Sequence, residues 1–513
     1  MYKKVISGAV YGITGRMITV EADISCGFPS LTMVGYLASE VREARERVMT
    51  AVRNSGFQIP AKRIVVNLSP ADIRKQGTAF DLPIAAAVMA AMGNIRSRYM
   101  SETMIVGELG LQGNVMPVRG ILPLALLAKE SGLTRMIVPE MNAAEAGLVS
   151  GLAVTGVGSL AEAAAVLNDR NMAVKMMQEK ETAAYMTDCV RKSKESPDFS
   201  ELFGQEVLKR GIEIAAAGGH HLLMVGPPGV GKSLAARCIP SVLPQMSFEE
   251  CLEVTKIHSV AGQMSGDGLM TKRPFRAPHH SASVQALIGG GRIPMPGEIS
   301  LAHRGVLFLD ELPEFGRRTL ETLRQPLEEG EVMISRVYGN YIFPARMMLV
   351  AAMNPCPCGF YPDRNRCFCT SRQVEEYIGH ISRPILDRFD MTIEAAPVSY
   401  EKLTFSKQGL SSAQMRPRIE AARSVQAARF GNSMQLNSEM NKRQIETYCR
   451  LDADGSSYMK EIYNSGMVST RGYYKILKVA RTAADIDGSE KITGEHIYEA
   501  AGFRSIDQKY WGR

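Results

Sequence analysis

Along the first part of the chain, about residues 1–168, apolar and polar positions alternate in short runs. Ile18-Thr19-Val20-Glu21-Ala22, Arg63-Ile64-Val65-Val66-Asn67-Leu68 and Met104-Ile105-Val106-Gly107 predict β-strands. Between them the spacing turns helical, over residues 40–54 and 82–92. This mixture predicts an α/β domain over residues 1–168. Residues 169–200 then turn polar, and Arg191-Lys192-Ser193-Lys194-Glu195-Ser196-Pro197 reads as a solvated linker. Over residues 201–396, continuous apolar runs alternate with helical stretches, which predicts a parallel sheet covered by helices. From residue 397 to 513 the strand signals fade and amphipathic helical patterns predict an all-helical domain.

A chain of 513 residues exceeds what one core can organise, in agreement with several domains. Hydrophobic residues at 45% and charged ones at 22% are globular proportions and exclude wholesale disorder. No run approaches the roughly 20 apolar residues of a membrane span, and Met1-Tyr2-Lys3-Lys4 is not followed by an uninterrupted apolar stretch, so a cytoplasmic address without membrane partners is expected. The net charge of +7 tolerates nucleic acid as a partner without demanding it.

Chemistry enters at Leu222-Leu223-Met224-Val225, a buried-strand run. It leads into Gly226-Pro227-Pro228-Gly229-Val230-Gly231-Lys232-Ser233 and then into helix-forming residues. Strand, glycine-rich loop and helix in that order predict a P-loop, in which backbone N–H groups and a helix N-terminus surround the phosphates of ATP. Lys232 would reach the β and γ phosphates, and Ser233 would place its hydroxyl on Mg²⁺. About 80 residues later, Val306-Leu307-Phe308-Leu309 ends in Asp310-Glu311. Asp310 is expected to hold the metal and Glu311 to polarise the attacking water. A third strand, Met348-Leu349-Val350-Ala351-Ala352-Met353, ends in Asn354, whose amide could bond the γ-phosphate or its water. An Asn before Pro355 is also simply a good turn former.

Four of the nine cysteines crowd into Cys356-Pro357-Cys358 and Cys367-Phe368-Cys369. Two thiol pairs eight residues apart can close a structural Zn²⁺ site, with free thiols or a redox pair as the alternative. Residues 330–346 hold two β-like runs flanking Gly339-Asn340, read as a hairpin turning on those two residues.

The longest particular stretches are Arg273-Pro274-Phe275-Arg276-Ala277-Pro278-His279-His280, the run from Pro296-Gly297-Glu298 through Asp310-Glu311, and Asn354-Pro355-Cys356-Pro357-Cys358-Gly359. On these the chain resembles the magnesium-chelatase-like AAA+ ATPases of the ComM (YifB) family, over nearly its whole length. The resemblance implies a self-associating ring, usually of six subunits, with ATP held between neighbours. Arg388 looks like the arginine finger acting in trans, and Arg471, in Ser469-Thr470-Arg471, like the sensor-two residue. A surface salt bridge is the plainer role for either. Where the family reads Ser-Gly-Pro, this chain has Ser382-Arg383-Pro384, which offers Arg383 as a rival trans arginine.

The N-terminal domain resembles the Lon-protease domain, but Ala79 stands at the nucleophile position and Leu122 at the lysine position. A serine-lysine mechanism needs both groups, so the domain is expected to be proteolytically silent, with a role in scaffolding, subunit contact or DNA contact. In related rings the hairpin projects into the pore, where Arg273, Arg276, Arg292 and Arg336 could grip a phosphate backbone. The family favours a DNA translocase or branch-migration helicase of recombination and natural transformation, with possible recombination-protein partners. The residues alone do not separate this from a remodeller of a partner protein, and a nucleotide-dependent scaffold is a third, non-enzymatic reading.

Overall fold

The computed structural model describes residues 1–96, 98–169, 197–264, 268–337, 339–398, 410–466 and 468–511. Most of the expected linker, residues 170–196, lies outside the described residues.

The N-terminal sheet has seven strands: β1 (Tyr2–Tyr11), β2 (Thr14–Ser25), β3 (Ser30–Val34), β4 (Arg63–Ser69), β5 (Thr103–Ile105), β6 (Arg135–Pro139) and β7 (Ala153–Val157). Their order is β3-β4-β2-β1-β5-β6-β7. The alternation along β2 turns Ile18, Val20, Ala22 and Ile24 into the core and leaves Thr19 and Glu21 facing outward. Helix α1 (Ser39–Asn54) lays one apolar stripe on this core, whereas α2 (Asp81–Met92) is apolar all round and buried along nearly its whole length. A third helix, α3 (Ile121–Glu130), begins at Gly120, whose φ of 74° favours glycine.

The central sheet is built from β8 (Leu222–Val225), β9 (Phe275–Arg276), β10 (Val306–Leu309), β13 (Met348–Met353) and β14 (Met391–Glu394), in the order β9-β10-β13-β8-β14. All of its pairings are parallel. A parallel strand covered by helices on both faces can be apolar throughout, and β8, β10 and β13 are fully buried. Helix α4 (Lys232–Val242) follows β8, and α5 (Phe248–Ala261) starts on a capping box between Ser247 and Glu250. The C-terminal region is helical, with α6 (Ser412–Phe430), α7 (Thr470–Ile486) and α8 (Gly494–Trp511) as its long members. No helix among the described residues is long and apolar enough to cross a membrane.

The hairpin is present as β11 (Glu331–Arg336) and β12 (Gly339–Pro344), but its turn is not the expected one. Arg336 pairs with Gly339 and Ser335 with Asn340, so Gly339-Asn340 open the second strand rather than forming the turn. The N-terminal domain touches this hairpin. The rings of Tyr11 and Tyr341 stack at 4.3 Å, and a side chain at Gly339 would collide with the Tyr11 hydroxyl. A second joint brings α5 onto α3, where the Gly120 N–H donates to the Ser259 carbonyl at 3.1 Å and the Ser259 hydroxyl donates to buried Glu145.

Candidate functional site

Three loops converge at the C-terminal ends of the central strands, where open parallel sheets place their ligands. Gly229 and Gly231 hold φ at 80° and 92°, so the loop after β8 curls back and α4 opens directly behind it. Lys232 leans over this loop, its ammonium donating to the carbonyls of Gly226 (2.6 Å) and Pro227 (2.8 Å) and to the Asn354 Oδ1 (3.1 Å). Burial pushes the Lys232 ammonium down to about 8, against the opposing pull of Asp310. Ser233 donates its hydroxyl to Asp310 at 2.6 Å. A hydroxyl and a carboxylate converging beside a P-loop are the hard oxygen donors that Mg²⁺ takes. The ends of β8, β10 and β13 thus bring together Lys232, Ser233, Asp310 and Asn354. Glu311 stands beside them, half-exposed, with its carboxylate on His280.

Arg388 and Arg471 lie at the other end of the sheet. Leu222 is the register partner of Met391, and the Asp390 N–H donates to the His221 carbonyl, so the Arg388 segment precedes β14 just where His221 precedes β8. Four strand residues at about 3.3 Å each therefore separate this edge from the P-loop of the same chain. Both arginines line a cleft of about 880 Å³, together with Arg346, Arg423, Lys475 and Lys478. Arg388 pairs with Glu328, and Arg471, largely exposed, lies 3.8 Å from Asp387. Burial opposes the charge of Asp390, yet Lys475 at 3.0 Å and the neighbouring histidines hold its carboxyl well below the usual range. Arg383 is exposed at the start of a one-turn helix.

The four cysteines meet. Their sulfurs all lie within 4.8 Å of one another, with Cys356–Cys358 at 3.3 Å, Cys356–Cys367 at 3.7 Å and Cys358–Cys367 at 3.5 Å. Tetrahedral zinc with Zn–S bonds near 2.3 Å needs sulfurs about 3.8 Å apart, so the cluster fits the ion closely. The loop it ties begins immediately after Asn354.

The four arginines expected near a phosphate backbone divide into two pairs. Arg273 is enclosed, its side chain 8% exposed, bidentate to Glu250 and donating to the carbonyls of Pro244 and Arg304. Arg276 is bidentate to Glu298 at 2.6 Å. Arg292 and Arg336 are exposed, the former within 3.2 Å of the Ser39 hydroxyl. In the N-terminal domain Ala79 and Leu122 pack in one apolar cluster, which Leu252 of α5 also joins. Sequence reasoning missed His280, which shares its motif with the arginines, and the Glu250–Arg273 and Glu253–Arg304 pairs.

Family models agree with this architecture. Residues 198–403 match magnesium chelatase subunit ChlI, residues 20–142 match subunit ChlI of Mg-chelatase, and residues 409–504 match the ChlI C-terminal region. The chain is 43% identical to the YifB protein of Escherichia coli (strain K12) over 504 residues, covering 98% of this chain and 96% of that one. It is 41% identical to the competence protein ComM of Haemophilus influenzae over 510 residues, covering 98% and 97%. A partial similarity, 26% over 141 residues, joins 26% of this chain to 18% of the Lon protease of Salinispora arenicola. A whole-length likeness at these identities, over a P-loop sheet with its helical region, means that the chain belongs to the ComM/YifB family of magnesium-chelatase-like AAA+ ATPases.

Proposed function

We propose that the protein is a ring-forming, ATP-driven DNA motor that moves branched or single-stranded DNA during recombination. One observation carries the ring: Arg388 and Arg471 occupy the sheet edge opposite the P-loop of their own chain. Cations there serve a nucleotide only if it belongs to a neighbour. Each subunit then supplies Lys232, Ser233, Asp310, Glu311 and Asn354 to one ATP and its arginines to the next.

In such a site Lys232 and the N-terminus of α4 take the charge of the β and γ phosphates. Ser233 and Asp310 hold Mg²⁺, which neutralises charge developing on the phosphate oxygens. Glu311 polarises water and accepts its proton, while the Asn354 amide orients the γ-phosphate or the water. The arginine arriving in trans stabilises the transition state. The cysteine cluster holds structural zinc, since four thiolates leave no open position for water. The N-terminal domain is a silent peptidase relative that braces the hairpin through Tyr11, and we place the domain boundaries at about residues 168, 200 and 396.

DNA is supported by the competence protein among the relatives and by Arg292 and Arg336, exposed on adjoining ribbons. The test is a synthetic four-way junction incubated with protein and ATP, with strand separation read on a gel. A chain that hydrolyses ATP but neither binds nor resolves the junction would favour the second reading, a remodeller of a partner protein, which the chelatase family models support.

A further inference from the structure

The loop between Asn354 and the helix Ser371–Gly379 has two sides. Its inner side is packed: a side chain at Gly359 would come within 2.5 Å of Pro228 in the P-loop, and the Tyr361 ring lies 6.3 Å from that of Tyr510 near the end of α8. Cys356 and Cys358 enter the sulfur cluster from one limb and Cys367 and Cys369 from the other, so the residues between them are tied at both ends. The outer side carries Arg364, Arg366 and Phe368. Because Cys367 and Cys369 both turn their sulfurs inward, Phe368 between them faces outward and is 88% exposed, contributing to no core. Arg366 lies over the Phe360 ring at 4.0 Å and Arg364 over the Tyr361 ring at 5.4 Å. Among the described residues neither guanidinium forms an ion pair, in contrast to Arg273 and Arg276, which Glu250 and Glu298 neutralise. The carboxylate of the same turn, Asp363, accepts from the Asn365 N–H at 3.0 Å.

We infer that this cysteine loop is a second nucleic-acid contact, which takes a single strand by stacking a base on Phe368 and setting phosphates on Arg364 and Arg366. The inference rests on the reading of a polynucleotide as the cargo, and adds where an unpaired strand is held. Exposed cations alone suit any polyanion, so the aromatic ring decides the class. A ring open to solvent offers its face to an unstacked base, whereas the bases of a duplex are covered by their neighbours. The guanidinium groups already rest on aromatic rings and lose little freedom on meeting phosphates. The tied ends fix the spacing between cations and ring, which a loose loop would not. This contact lies on a different element from Arg292 and Arg336, which belong to the ribbon and the hairpin. Its inner side abuts Pro228, so the strand is held on a loop that touches the nucleotide loop.

The test measures binding of a labelled oligothymidylate of about 20 nucleotides to the full chain by fluorescence anisotropy, over a range of salt, with a blunt duplex of similar length for comparison. Loss of one stacked base in F368A should weaken single-strand binding about five- to thirtyfold and duplex binding less than about twofold. F368W should stay within about threefold of wild type, and the oligonucleotide should quench its added indole emission, a signal that a merely structural residue would not give. R364A/R366A should lower the slope of log K against log salt by about 1.4, two phosphates at roughly 0.7 each. Zinc content and thermal melting at wild-type values would show each variant's loop intact; if F368A fails that check, F368W and the arginine pair decide. Single-strand affinity of F368A and R364A/R366A within about twofold of wild type, with the indole of F368W unquenched, overturns the contact and leaves the loop to an acidic protein segment. A wild type that binds neither oligonucleotide overturns the contact and the DNA reading together. A wild type that binds through the loop, with the losses above, yet leaves a four-way junction intact upholds the contact and rejects the motor reading.

Discussion

Lys232 and Glu311 should fail differently when changed. Lys232→Ala removes a charge that meets the phosphates in the ground state, so nucleotide affinity should fall together with turnover, whereas Glu311→Gln should keep ATP bound and unhydrolysed. Equilibrium binding of a fluorescent ATP analogue, beside single-turnover hydrolysis, separates the two. Acidity gives a second handle. With the free Lys232 ammonium held at about 8 and raised by bound phosphates, ATP affinity should be level below pH 8 and fall as pH rises above it. The sign follows from proton uptake: above pH 8 the empty site has lost the proton that the filled site requires. Calorimetry in two buffers of different ionisation enthalpy would measure that uptake, and an affinity flat from pH 7 to about 9.5 would contradict it. The residues proposed to meet the nucleotide could be picked out in the sequence because glycines, lysine and serine stand in one unbroken run whose chemistry is local. Arg273 and Arg276 could not, since their partners Glu250 and Glu298 are 23 and 22 residues distant and only the fold brings them together.

At the scale of elements, the strands that carry the site were legible because buried parallel strands are apolar throughout and end at polar residues; Met348–Met353 is such a run. The hairpin was legible as a pair of strands but not in its register. Glycine and asparagine are strong turn formers, yet here Gly339 lies in the strand because the Tyr11 hydroxyl occupies the space a side chain would need. That contact comes from β1, a strand whose sequence was read only for targeting signals. The cysteine loop yields a clear expectation. Protein purified without chelator should carry about one zinc per chain by elemental analysis, and Cys358→Ser should lose most of it along with some thermal stability. Less than about half an equivalent, unaltered by that substitution, would leave a cluster of free thiols.

The assembled molecule is where the sequence was least explicit, because no motif states which end of a sheet a distant arginine will occupy. Parallel register answers that: Leu222 opposite Met391 puts the Arg388 loop at the end of β8 that the P-loop leaves empty. On the proposed ring, a lone subunit holds half a site. Because arginine fingers contribute about 10³ to 10⁵ in rate, ATP hydrolysis per chain should climb steeply with protein concentration as rings form. The sharper test mixes two inactive proteins. Arg388→Ala subunits keep an intact P-loop and lack the arginine they would lend, while Lys232→Ala subunits lack the P-loop lysine and keep Arg388. Neither should hydrolyse ATP alone. In a mixed ring, each Arg388→Ala subunit whose arginine-side neighbour is Lys232→Ala regains a complete site, so activity should return and peak near equal proportions. Restored activity should bind junction DNA with a steep salt dependence and little sequence preference, as phosphate contacts require. Mixtures that stay silent at every ratio, while light scattering shows that mixed rings have formed, would mean that Arg388 completes the site of its own chain, and the ring argument would fall with it.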